Sequence, residues 1–115
     1  MFKSFAAAIN GLLIAIKTER NIQIHGVIAI LVFFVGKWLQ LIRFEMAIIW
    51  ICFAMVIGAE LINTSIEKLC DKVEPNKDSQ IKIVKDVAAG AVLFISICAT
   101  VTGLYIILPK FLAKI

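Results

Sequence analysis

Long uncharged stretches alternate with short clusters of charge along this chain. Phe2, Phe5, Ile9, Leu12, Leu13 and Ile16 recur at helical spacing, with Lys3, Asn10 and Lys17 between them. This pattern predicts an amphipathic helix over 1–17, lying in a membrane interface, packed on a partner helix, or both. A polar interval follows from Thr18 to His25. Gly26 to Gly36 is uncharged, and with Trp38 to Ile42, interrupted only by Lys37, it predicts a first membrane span over 26–42. Lys37 is long enough to snorkel to the far interface, where Trp38 suits an aromatic belt. Arg43, Phe44 and Glu45 read as a short turn, and a second span is predicted over 46–67. The stretch from Lys68 to Lys85 reads as a charged loop with partly helical flanks, broken at Pro75-Asn76. Val87 to Pro109 carries no charge and predicts a third span over 87–109, ended by Pro109 and Lys110. The expected fold is therefore all-α and integral to the membrane. It is a single domain over 1–115, with a surface helix followed by three transmembrane helices.

Composition supports lipid as the main solvent. The 115 residues are 62% hydrophobic, with mean hydropathy +1.00. A soluble domain of this size has too much exterior to bury that much apolar surface. The net charge of +4 suits an anionic leaflet. The basic residues are scattered and form no recognisable module, which argues against nucleic acid. Cys52, Cys70 and Cys98 are odd in number and form no CxxC, so they read as small apolar residues rather than a disulfide scaffold. Phe5 to Ile16 follows Lys3 as a signal-peptide core would, but Asn10 interrupts it and no small-residue cleavage site follows, so it is expected to be retained. Lys3, Lys17, Arg20 and the lysines of the 68–85 loop outnumber Lys37 and Arg43. The rule for basic residues places the amino terminus and that loop in the cytoplasm. The protein is then a multi-pass protein of the inner (plasma) membrane. Lys110 and Lys114 run against the rule, with the weak influence of a short tail.

This orientation gathers the polar side chains at one interface. Glu60, Asn63, Thr64 and Glu67 share one face of a helix that begins with the uncharged run Met46 to Ala59. An ionisable residue at the end of such a run is a functional-site candidate. Glu60 and Glu67 differ by about 10 Å in height at 1.5 Å per residue. A carboxylate at headgroup depth has the means to take a proton from a lipid hydroxyl. Glu19 and Glu67, nearer water, suit Mg²⁺, a hard cation that accompanies substrate phosphates. A lysine beside them would offset phosphate charge. Together these parts describe phosphoryl transfer from a nucleotide to a lipid alcohol, although no GxxxxGK or GxGxxG is present. A small proton-coupled transporter subunit using Glu60 as its carrier carboxylate, or a catalytically silent adaptor, is also compatible with the residues alone.

Several separated motifs add to this. Glu60-Leu61-Ile62-Asn63-Thr64-Ser65-Ile66-Glu67, then Asp71, then Lys85-Asp86-Val87-Ala88-Ala89-Gly90-Ala91-Val92, resembles the signature of the small prokaryotic diacylglycerol kinase family. Glu19-Arg20-Asn21-Ile22-Gln23-Ile24-His25 resembles its undecaprenol kinase branch, as do Phe5, Ala8, Gly11 and Leu12 and the closing Leu108-Pro109-Lys110. The resemblance covers nearly the whole chain. It implies a homotrimer of three-span subunits with active sites between neighbours. It implies Glu60 as general base, Glu19 and Glu67 as Mg²⁺ ligands, and Asn63, Asn76, Lys77, Asp78, Lys85 and Asp86 as the ATP site. Asn21, Gln23 and His25, with Glu60, would meet the lipid substrate. Ala8 and Ala89 depart from diacylglycerol-type relatives, which have hydroxyl side chains there. Lys3 is the candidate to replace an upstream basic residue found in some of them. The expected acceptor is undecaprenol, with diacylglycerol the alternative.

Overall fold

The computed structural model describes residues 1–115 as four helices and no strand. They are α1 (Phe2–Thr18), α2 (Arg20–Trp38), α3 (Arg43–Val73) and α4 (Ser79–Lys114). The last three are long and apolar enough to cross a membrane. At 1.5 Å per residue, α3 and α4 are about 46 and 54 Å long. Both outreach the hydrocarbon core of about 30 Å, so each carries turns that stand in the interface and the water beyond it.

Most of the polar interval between Thr18 and His25 is helical. A single residue breaks the helix there: Glu19 is extended, with φ −99° and ψ 111°. Its N–H still donates to the Ala15 carbonyl at 2.8 Å, and its own carbonyl starts α2 by accepting from Gln23 N–H at 3.2 Å. Arg20, Asn21 and Gln23 contain no breaker, so α2 begins at once. The Gln23 side chain closes the bend. Its Nε2 donates to the carbonyls of Ile16 and Lys17 at 2.8 and 3.2 Å, two of the unpaired groups at the end of α1.

The turn between α2 and α3 lies earlier than the charge pattern implies, at Leu39–Ile42. Arg43 to Glu45 form the first turn of α3 instead. Gln40 adopts φ 58°, the left-handed conformation. Gln40 N–H donates to Lys37 O at 3.1 Å and Leu41 N–H to Gly36 O at 3.0 Å, the paired bonds of a Schellman ending. A side chain in that conformation costs about 1 kcal/mol, which glycine does not incur. Gln40→Gly is therefore expected to stabilise the protein by about 0.5–1 kcal/mol. Thermal unfolding in detergent would read this as a rise in midpoint. At the start of α3, Ile42 N–H donates to Glu45 Oε1 at 3.0 Å.

Pro109 ends the apolar stretch but not the helix, which runs on to Lys114. A proline inside a helix lacks its N–H and crowds the preceding turn. The turns beyond it are held by tertiary contacts. Lys110 pairs with Glu45 at 3.5 Å, Phe111 packs at a tilt against Trp38 with centroids 6.3 Å apart, and Lys114 donates to the Trp38 carbonyl at 2.7 Å.

α4 packs chiefly on α3, α2 lies against α3, and α1 touches α2. Only seven of 115 residues are buried: Ile22, Gly36, Leu39, Ile49, Val56, Cys70 and Glu60. The single chain therefore has almost no core of its own. Its apolar faces, with Phe34, Phe94 and Tyr105 outward, need lipid or further protein against them.

Candidate active site

The polar end of the bundle is built on the last turns of α3, the bend at Glu19 and the first turns of α4. Glu60 is the one charged residue buried within the chain, 6% exposed. Its carboxylate Oε1 lies 3.6 Å from His25 Nε2, across the α2–α3 contact. One turn on, Asn63 Nδ2 donates to Glu67 Oε1 at 3.2 Å. The shared face of Glu60, Asn63 and Glu67 thus exists as the helical spacing requires. Asn63 Oδ1 is buried and has no partner. A buried amide oxygen left alone costs about 1–3 kcal/mol, so it marks a place where a donor or cation belongs.

Glu19 reaches the same end of α3. Having no capping bond of its own, its carboxylate is free to meet Lys68 at 3.8 Å, next to Glu67 in the chain. Between α1 and α3 runs a recess of about 490 Å³, lined by Ala8, Gly11, Leu12, Glu19, Thr64 and Lys68 among others. No group of three or more carboxylate, histidine or cysteine side chains is gathered in the chain as a metal-ligating set.

Further from the apolar region, the loop joining α3 to α4 frames an open pocket of about 520 Å³. Asp71, Asn76, Lys77, Asp78, Lys82 and Lys85 line it. Lys85 donates to the Asp71 carboxylate, bridging α4 and α3. That hydrogen bond holds the Lys85 ammonium above the usual lysine range, outweighing an opposing effect of desolvation. Lys82 engages Asp86 one turn on at 2.7 Å. Asp78 Oδ1 accepts from Gln80 N–H at 2.9 Å and Ile81 N–H at 3.0 Å, so it also caps α4. Glu74 Oε1 accepts from Asn76 N–H at 3.2 Å and shapes the loop.

Of the residues expected to form the site, the structure brings Glu60 with His25, Asn63 with Glu67, and Lys77, Asp78 and Lys85 around one pocket. Gln23 is occupied in capping α1, and Asn21 is exposed on the first turn of α2. One participant, Lys68, was not singled out from the sequence, and Asp71, quoted there within the signature, finds its partner in Lys85. Lys68 holds Glu19 against α3, and Asp71 fixes Lys85. Lys68 had no distinguishing signal among five loop lysines, whereas Asp71, four residues after Glu67, continues the same helical face.

A helical membrane bundle with a buried carboxylate, and a charged pocket further along the same polar end, defines a class: a multi-pass membrane protein with polar residues gathered at one end of its spans. The comparisons narrow the class. The family model for prokaryotic diacylglycerol kinase matches residues 6–107. A protein of Synechocystis sp. named "diacylglycerol kinase" is 34% identical over 111 residues, which is 96% of this chain and 63% of that protein. The chain thus spans slightly less than two thirds of that relative's length. It belongs to the prokaryotic diacylglycerol kinase family.

Proposed function

We propose that this protein transfers the γ-phosphoryl group of ATP to the hydroxyl of a membrane lipid alcohol. The observation that carries the reading is Glu60, a buried carboxylate where the apolar part of α3 gives way to its polar turns. Family membership supports the reaction class, and the relative's name supports a lipid acceptor. Glu60 takes the hydroxyl proton as the oxygen attacks phosphorus. Lys85, its ammonium held by Asp71, offsets charge on the transferred group. Lys77 and Asn76 border the nucleotide in the loop pocket. Asp78 lines that pocket and caps α4, while Asp86 lies outside its lining and reaches it only through Lys82.

Glu19 and Glu67 would hold Mg²⁺, with Asn63 beside them. Two carboxylates are an ordinary protein share for an ion that takes its other oxygens from phosphate and water. The unpartnered Asn63 Oδ1 next to Glu67 fits such a group. Bound there, the ion would neutralise charge on the nucleotide phosphates.

Undecaprenol is the proposed acceptor. The recess between α1 and α3 carries Ala8, Leu12 and Ala15 where a diacylglycerol-type relative would offer a hydroxyl near Ala8. Such a wall suits a headgroup reduced to a single hydroxyl. The assembly proposed is a homotrimer with sites shared by neighbours, which the sparse core of the single chain supports. The charge asymmetry supports a cytoplasmic site in the plasma membrane. Competition between undecaprenol and dioleoylglycerol for limiting radiolabelled ATP in mixed micelles tests the acceptor. Undecaprenol is expected to take most of the label, and preference for dioleoylglycerol would reassign the substrate.

A further inference from the structure

His25 is the only histidine in the chain, and its sequence position offers no partner for acid–base work. The structure supplies one. His25 Nε2 lies 3.6 Å from Glu60 Oε1, and His25 is the only basic side chain in ion-pair contact with that carboxylate. The two differ in their access to the outside. The Glu60 side chain is 8% accessible, and the imidazole 27%. Below them a cavity of about 290 Å³ between α2, α3 and α4 is lined by Ile28, Val32, Phe53 and Val56 among others. α4 presents Ser96, Ala99 and Thr100 to it, and Cys52 is the only titratable side chain in its lining besides His25. Cys52 makes no hydrogen bond or ion pair with Glu60, which leaves His25 as the side chain on that side in contact with its carboxylate.

A base that has accepted a proton is spent until it gives the proton up. Glu60 is nearly closed to water within the chain, and a lipid seated over it would close it further. We propose that His25 is the proton exit of the site, the group through which Glu60 is reset after each transfer. The inference rests on Glu60 as the base. As the new O–P bond forms, the alcohol O–H bond breaks and its proton goes to the Glu60 carboxylate. The resulting carboxylic acid passes the proton to Nε2 of neutral His25. The imidazolium then loses a proton from Nδ1 to water or buffer, and tautomer exchange restores the ring. Both side chains return to their starting state and no other reactant is needed. The separation of 3.6 Å exceeds hydrogen-bond range, so a small side-chain rotation must close it. His25 acts through Glu60 and is in this sense a positioning and relay residue.

The test uses the full chain in mixed micelles with Mg-ATP and saturating undecaprenol or dioleoylglycerol, whichever it phosphorylates. His25→Ala is expected to lower kcat about 10²-fold, the lower end for acid–base groups, with KM for ATP unchanged. Imidazole added to the buffer is expected to restore turnover saturably, and substituted imidazoles to do so in order of their basicity. His25→Gln keeps the polarity and approximate size of the ring but has no group that takes up and releases a proton, and it is expected to show the same loss. Wild-type kcat in His25→Gln would overturn the exit. So would a folded His25→Ala protein that is slow and indifferent to imidazole. If the alanine variant fails to fold, the glutamine variant decides alone. Glu60→Gln separates the two readings. Full activity there removes the base and the exit together, while an inactive Glu60→Gln beside a fully active His25→Gln removes the exit only.

Discussion

Glu60→Gln is expected to cut lipid phosphorylation by about 10²–10⁴-fold while leaving the protein folded and able to bind ATP. The substitution keeps the shape of the side chain and removes its charge and with it its ability to accept a proton. Glu60 is 6% exposed and stands one turn from Asn63, away from the loop pocket around Lys77 and Lys85. The loss should therefore fall on kcat, with KM for ATP little changed. Folding should tolerate the change, because a neutral amide in a buried position has less solvation to lose than a carboxylate. The check is a pair of curves, initial rate against ATP and thermal unfolding, for both proteins. A drop in rate accompanied by loss of the folded state would place Glu60 in structure rather than in chemistry.

Lys85→Met should have the second-largest effect, about 10²–10³-fold in kcat, by removing the cation proposed to offset developing phosphate charge. Methionine preserves much of the length and the apolar stem. The Asp71 carboxylate accepts a hydrogen bond from Lys85 and raises its pKa. The ammonium is therefore present throughout the neutral range and is lost only when pH rises through that raised value. Asp71→Asn lowers this ceiling and frees the side chain. It should reduce activity less than Lys85→Met, with the decline on the alkaline side moved to lower pH. Rates from neutral to alkaline pH for the three proteins would show the order. Equal activity of Lys85→Met and the parent protein would mean that the pocket holds phosphate some other way.

Much of the fold is written in the charge pattern. The uncharged runs at 26–36, 46–59 and 87–109 lie within α2, α3 and α4, and the apolar periodicity of 1–17 marks α1 to within a residue. The joints were harder to see. Glu19 breaks a helix by its backbone angles alone, with no glycine or proline to announce it. Gln40 takes a left-handed turn that sequence normally signals with glycine. The turns past Pro109 survive on contacts to Trp38 and Glu45, which lie far away in sequence. The same division holds for the site. Glu60, Asn63 and Glu67 are related by helical spacing, so their common face was legible. His25 with Glu60, Glu19 with Lys68, and Lys85 with Asp71 are contacts between helices, and one sequence carries no direct record of those. The carrier reading of Glu60 gains nothing from the structure, whereas family membership favours phosphoryl transfer.

The most direct measurement of the central claim is whether label from γ-radiolabelled ATP enters the lipid phase at all. Purified protein would be supplied with Mg²⁺, undecaprenol and dioleoylglycerol in mixed micelles, alongside Glu60→Gln and a chelated control. The account predicts labelled lipid with the parent protein and Mg²⁺, and almost none with the variant or the chelator. Folded protein that labels neither lipid, or a Glu60→Gln variant that labels as well as its parent, would contradict it.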